Sequence, residues 1–334
     1  MFMEKFYNYE MKNIFSQKSM LLMVMLLSIM LSISSNSIFG VWMGMEINLF
    51  SFIPLMTLDL KKNSENSIMI YFLIQSISSS MMIFSCFMIN LNKQSETIFL
   101  SIFYLSLLMK AGVCPFHFWT LKIMEGLSWN SCFILLTIQK IIPMFTFSLL
   151  IQKDFLIILI LLNSVIASIT GLSTFSIRKI MGISSMNHMS ILMMSILTSK
   201  KLFKMYFSIY TFMLMMVIST FNSKNLNFLF QIFKSNKMNK ILSLNSVIMI
   251  FSMAGLPPFL GFIPKLMTIM KMMELYMIIP VMITLIFNSL AAFFYIRLFM
   301  SNIVMNKNIT KLSYEKKNKS VSVILILSPM TFFL

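Results

Sequence analysis

Apolar runs about as long as a bilayer is thick recur along almost the whole chain, with only short polar stretches between them. In hydrocarbon no water satisfies backbone N–H and C=O groups, so runs of this kind span as helices. The runs place eleven spans at roughly 19–35, 37–58, 67–89, 97–121, 127–150, 155–176, 180–198, 205–222, 241–270, 275–299 and 319–334. The fold class expected is therefore an all-α polytopic membrane protein of about 11 transmembrane helices. Composition agrees: 58% of the 334 residues are hydrophobic, 11% are charged, and the mean hydropathy is +0.86. No soluble core uses that much apolar sequence.

Two of the runs are interrupted. In Leu107–Trp119 a lysine, Lys110, lies inside an apolar segment and is followed at once by Gly112 and Pro115. Proline removes a backbone donor and clashes with the preceding turn, so a helix crossing here must break. Irregular backbone at bilayer depth is tolerated where protein or water satisfies it, and a lysine beside such a break suits an ion pathway. The other reading has Lys110 near a membrane surface, reaching outward. The chain then nearly repeats itself. Ala111-Gly112-x-x-Pro115-Phe116 is matched by Ala254-Gly255-x-x-Pro258-Phe259, and Lys122 by Lys265, although Ala, Gly and Pro are scarce. Duplicated halves with one broken helix each are a transporter architecture, and five helices per half would invert the second copy. The division expected is a polar segment 1–18, a first five-helix repeat 19–150, a second 151–300, and a basic loop with a last helix over 301–334.

Lysine and arginine counts set the orientation. With this span order, 17 basic residues fall on the side of the N-terminus and 6 on the other, so that side is the matrix or cytoplasm. The net charge of +17 is thus an orientation signal rather than a nucleic-acid footprint. No secretory signal or Arg-rich transit peptide stands out in Met1–Lys18. Methionine, with 38 residues, and lysine are abundant while arginine occurs only at Arg178 and Arg297, as strongly AT-biased coding produces. Synthesis inside a mitochondrion is the economical expectation. Cys86, Cys114 and Cys132 are scattered singly and suggest neither a disulfide framework nor a metal site. Nucleotide-binding loops, iron–sulfur cysteine runs and haem motifs are missing from the sequence.

The charges inside spans carry the chemistry. Glu46 is the one carboxylate well inside an apolar run, against the lysines Lys110, Lys140 and Lys265. Each uncompensated lysine at mid-membrane costs about 2.5–3.5 kcal/mol even on a lenient scale, so three cost roughly 8–10 kcal/mol, comparable to the stability of a whole fold. Glu46 relieves one. The others must be hydrated, meet another subunit's carboxylate, or be neutral, and an amine that exchanges its proton is a proton carrier. A single structural ion pair is the plainer reading, but it leaves two lysines unexplained. His117, just beyond the break, and His188, in mid-span, are weaker relay candidates; a satisfied interior histidine is the alternative for both. The Met, Phe and Trp stripes read as packing and interface anchors.

Together, Trp42-x-Gly44-x-Glu46-x-Asn48-Leu49, Lys110-Ala-Gly-x-x-Pro-Phe-His-Phe-Trp119, Gln139-Lys140-x-x-Pro143 and Gly255-Leu-Pro-Pro-x-x-Gly-Phe-x-Pro-Lys265 resemble the antiporter-like membrane subunits of mitochondrial respiratory complex I, over nearly the whole chain and in the same order. The resemblance implies two inverted five-helix repeats plus a C-terminal helix. It implies proton translocation from the matrix to the intermembrane space across the mitochondrial inner membrane, driven by NADH oxidation and ubiquinone reduction elsewhere in the complex. No cofactor is expected in this chain; NADH, FMN, iron–sulfur clusters and ubiquinone would belong to partner subunits. The implied neighbours are chains 4L and 4, with membrane lipid around them. The family's glutamate falls on Glu46, its lysines on Lys110, Lys140 and Lys265, and the imidazole of its Pro-Phe-His-Phe-Trp motif on His117. Two departures are the absence of three N-terminal helices found in bacterial relatives and the long polar start. A free-standing cation/proton antiporter and a structural spacer of the membrane arm are the competing readings.

Overall fold

The computed structural model describes residues 2–58, 64–91, 96–149, 153–223, 226–229, 231, 248–257 and 259–303. Among them the regular structure is helical, apart from one isolated antiparallel bridge between Ser176 and Phe228. The chain divides into two compact units, Met1–Leu150 and Ile151–Leu334.

The first unit holds α1 (Phe2–Ser34), α2 (Ile38–Leu58), α3 (Ser64–Leu91), α4 (Glu96–Ala111), α5 (Phe118–Gly126), α6 (Trp129–Leu136) and α7 (Ile138–Leu149). The second holds α8 (Lys153–Ser173), α9 (Ile177–Thr198), α10 (Lys200–Ser223), a helical stretch over 248–254, α11 (Phe262–Glu274) and α12 (Ile278–Ile303). By length and composition, eight helices among the described residues suffice to cross a membrane: Ser16–Ser34, Ile38–Leu58, Glu65–Ile89, Trp129–Leu149, Lys153–Ser173, Ile177–Thr198, Lys200–Ser223 and Ile278–Leu298. The two interrupted runs appear as pairs of shorter helices, α4 with α5 and 248–254 with α11. The span expected at 319–334, and Pro258 of the second motif, lie outside the described residues.

So many serines in apolar helices call for an account of their hydroxyls. Ser28, Ser32, Ser78, Ser106, Ser184 and Ser190 each donate to the carbonyl three residues back in their own helix, at 2.6–2.8 Å. A hydroxyl satisfied this way costs little in hydrocarbon and leaves the small side chain free to admit a neighbour. The α1–α2 pair uses that freedom: a Cβ on Gly44 would stand 2.8 Å from the Ser32 Cβ and 2.9 Å from the Ser28 carbonyl oxygen.

The repeated motif folds the same way twice. Gly112 and Gly255 have φ of +63° and +72°, a left-handed conformation that closes a helix. Val113 N–H then reaches the Leu108 carbonyl at 3.2 Å, and Leu256 N–H the Phe251 carbonyl at 3.4 Å. Phe116 N–H returns to Val113, and Phe259 N–H to Leu256, at 2.8 and 2.9 Å. Each pair of bonds connects positions that the sequence repeat aligns. The second break closes against Gly261, where an added Cβ would come within 1.9 Å of the Ser252 carbonyl oxygen. Backbone cannot retreat from such a clash, so Gly261→Ala should cost at least about 2–3 kcal/mol, the upper range for single substitutions. Loss of the assembled subunit at the growth temperature, read by immunoblot, is the expected result; normal accumulation would refute the tight closure.

The span expected over 127–150 is present as Trp129–Leu149 but carries a bend that the sequence did not announce. Thr137 (φ −119°, ψ −74°) separates α6 from α7. Its hydroxyl donates to the Phe133 carbonyl at 2.7 Å, a back-bond that bends helices. Six residues on, Pro143 has no N–H to give Gln139.

In the second unit α9 is the central helix, packed against α8, α10, α11 and α12, with side chains buried on every face from Ile177 to Ile196. Arg297 of α12 closes the end of α8. Its guanidinium donates to the carbonyls of Leu172 (2.7 Å), Gly171 (2.9 Å) and Thr174 (2.6 Å), with the Phe175 ring 5.4 Å from its carbon.

Candidate functional site

The first unit gathers charges from three elements around the first break. Lys110 lies in the last turn of α4 and is 6% exposed. Its Nζ stands 3.4 Å from Oε1 of Glu46, which α2 carries at mid-length. The structure thus unites two of the residues singled out in the sequence, with the Lys110 side chain buried inside the protein. Lys140, 3% exposed, lies in the first turn of α7, immediately after the Thr137 interruption. The bend and the lysine adjoin: the Lys140 N–H donates to the Thr137 carbonyl at 3.1 Å.

Beside Lys110 lies a polar file that the sequence reading did not assign. Gln139 donates through Nε2 to Asn48 Oδ1 at 3.2 Å and accepts at Oε1 from the Tyr71 hydroxyl at 3.3 Å. Gln75, one helical turn beyond Tyr71 on α3, donates to the Lys110 carbonyl at 3.3 Å. Asn48, Tyr71, Gln75, Lys110 and Gln139 line a small cavity in which a water-sized sphere's centre has ≈ 10 Å³, room for about one water molecule. A signal for this file existed in the sequence: Tyr71 and Gln75 share one face of α3, as Glu46 and its neighbour Asn48 share a turn of α2. Serine-rich spans conceal such pairs.

The remaining candidates are His117, Lys265 and His188. His117 opens α5 within the break, 2% exposed, its carbonyl accepting from Thr120 Oγ1 at 2.7 Å and its ring 4.1 Å from that of Phe118. In the second unit, Lys265 of α11 is 8% exposed and folds back over the break to donate to the Ala254 carbonyl at 2.8 Å. Its side chain lies where a Cβ on Gly255 would stand, 2.8 Å from Nζ. The same repeat position in the first unit, Lys122, is exposed. His188, 1% exposed at the centre of α9, has Nδ1 2.9 Å from the Tyr206 hydroxyl. No cluster of three or more metal-ligating side chains occurs among the described residues.

Comparison with known proteins meets this geometry. Residues 35–291 match the family described as NADH:quinone oxidoreductase/Mrp antiporter, transmembrane. The chain is 38% identical to NADH-ubiquinone oxidoreductase chain 2 of Anopheles gambiae, over 91% of this chain and 92% of that one. It is 34% identical to the same subunit of Locusta migratoria, over 94% and 93%. Its fold is that of a chain in respiratory complex I from Thermus thermophilus, with a TM-score of 0.82, 15% identity, and 95% and 77% of the two chains covered. With a family model matching residues 35–291 and relatives 34–38% identical over more than nine-tenths of its length, the chain belongs to the NADH:quinone oxidoreductase/Mrp antiporter family, among the relatives of NADH-ubiquinone oxidoreductase chain 2.

Proposed function

We propose that this protein is a membrane-arm subunit of respiratory complex I that moves protons from the matrix to the intermembrane space through its buried charges. Chains 4L and 4 are its neighbours in this reading, the mitochondrial inner membrane its location, and the matrix the side of its N-terminus. It is part of an NADH:ubiquinone reductase, with NADH, FMN, iron–sulfur clusters and ubiquinone held by other subunits. Residues 19–150 and 151–300 act as inverted repeats of five helices in this reading.

The observation that carries the reading is the buried Glu46–Lys110 pair beside a broken helix, with Lys110 also lining the small cavity. An ionised Glu46 holds the proton on Lys110; weakening that attraction, by a charge arriving next to Glu46, frees the proton to leave. The Tyr71 hydroxyl can both donate and accept a hydrogen bond, whereas the Asn48 and Gln139 amides orient their neighbours without carrying charge. Lys140 receives the proton beyond the Thr137 bend. Lys265, held on the backbone of the second break, passes it on, with His117 and His188 as further stations.

The test is NADH-driven acidification in liposomes holding the assembled complex. Lys265→Met should lower the protons moved per NADH while the complex still assembles. The purified chain alone should show no cation/proton exchange. Full pumping by the variant would leave a spacer role, and exchange by the isolated chain would make it an antiporter in its own right.

A further inference from the structure

The turn that carries Lys140 is poorly held by its own helix. Among the described residues, one backbone bond ties the first turn of α7 to the residues before it, from the Lys140 N–H to the Thr137 carbonyl at 3.1 Å. Four residues on from Gln139, Pro143 has no N–H to offer the Gln139 carbonyl. A helix start cut off on both sides leaves its orientation to be set by side chains.

Gln139 supplies that fastening. Its Nε2 donates to Asn48 Oδ1 on α2 at 3.2 Å, while its Oε1 accepts from the Tyr71 hydroxyl on α3 at 3.3 Å. Both anchors are buried, and the Tyr71 ring stands edge-on to Phe52 of α2 with centroids 5.2 Å apart. Asn48 lies two residues from Glu46 on the same helix. An amide accepts from one helix and donates to another at the same time; a carboxylate has no proton to donate, an ammonium cannot accept, and leucine does neither. Hydrogen bonds between membrane helices add little to stability on average, so stability is a weak reason for an amide at this position. Orientation is a stronger one. Successive residues of an α-helix point about 100° apart, so holding the Gln139 side chain on α2 and α3 fixes the direction in which Lys140 leaves α7.

We propose that Gln139 is the positioning residue of Lys140: through Asn48 and Tyr71 it fixes the amine's direction and ties it to the helix that carries Glu46. This deepens the proton-translocation reading and rests on it. Gln139 itself carries no proton. Its part is to keep the lysine-bearing turn in one orientation where the backbone, interrupted at Thr137 and missing a donor at Pro143, does not.

In the assembled complex, Gln139→Leu should lower NADH-driven acidification of liposomes about tenfold, within the roughly hundredfold that a misplacement of about 1 Å can cost. A map of that variant should show the side chain of Lys140 leaving α7 in a new direction. Exchanging the two amides, Asn48→Gln with Gln139→Asn, keeps the bond between α2 and α7 at the same total length and should recover most of the pumping. Should Gln139→Leu fail to accumulate, Tyr71→Phe breaks one arm of the fastening only; it should assemble and pump about threefold less than the parent. Normal pumping by the Gln139→Leu or Tyr71→Phe complex, with Lys140→Met inactive, overturns the positioning and leaves the proton path standing. Normal pumping by Lys140→Met overturns the path instead. The direction of the Lys140 side chain in the Gln139→Leu map then decides the positioning by itself, and an unchanged direction overturns it.

Discussion

Replacing Lys140 by methionine should abolish proton translocation while the complex continues to assemble. Methionine matches the length and apolar stem of lysine, so the first turn of α7 keeps its packing, and one desolvated amine is removed from a site 3% exposed. A hydrocarbon-buried cation is a cost to the fold, so stability should hold or rise slightly. Pumping should fall by about two orders of magnitude, the lower range for a positioned proton-transfer group. NADH-driven acidification of liposomes, with subunit content followed in parallel, separates the two effects. Undiminished acidification would take Lys140 out of the path.

The second large effect concerns the Glu46–Lys110 pair, and here order matters more than size. Glu46→Gln leaves the Lys110 amine buried without its carboxylate, 3.4 Å from an uncharged amide. Breaking a buried pair from one side costs about 3–5 kcal/mol. The lower end applies because the Glu46 side chain keeps 16% of its exposure. Adding Lys110→Met to that variant removes the stranded charge and should restore most of the loss, since replacing both partners with uncharged groups is often neutral. Thermal inactivation of the assembled membrane arm gives the four corners of the cycle. If the double variant is as unstable as the sum of the single ones, the two side chains do not form a coupled pair.

The features legible in the sequence are those that leave a local mark. Gly112 and Gly255 announce left-handed turns because no other residue closes a helix there so easily, and their proline neighbours exclude a continuous helix. Glu46 and the three lysines are conspicuous because hydrocarbon makes them costly. The bend at Thr137 leaves no such mark, since threonine is common in membrane helices and Pro143 lies within a run that is otherwise smooth. The Asn48–Gln139–Tyr71 file is likewise invisible one helix at a time: it exists only where α2, α3 and α7 meet. Lysines at 200, 201 and 204 suggested a span starting at 205, yet α10 begins at Lys200, because long side chains let their charge reach polar surroundings from the first turns of an apolar helix. Tyr206, Tyr210 and Tyr295, which carry no local mark in the sequence, are core residues in the fold.

The two helix breaks have an electrostatic consequence for a chain so short of acids. An α-helix that stops mid-membrane ends in unpaired carbonyls carrying roughly half an elementary negative charge. Lys110 stands in such a terminal turn, and the Lys265 ammonium touches one directly through Ala254. Lys140 is placed oppositely, at the start of α7, where the backbone field has the other sign. The peptide units themselves thus rank the three sites for a cation, and no exchange of side chains erases that ranking; only mending the interrupted helices would.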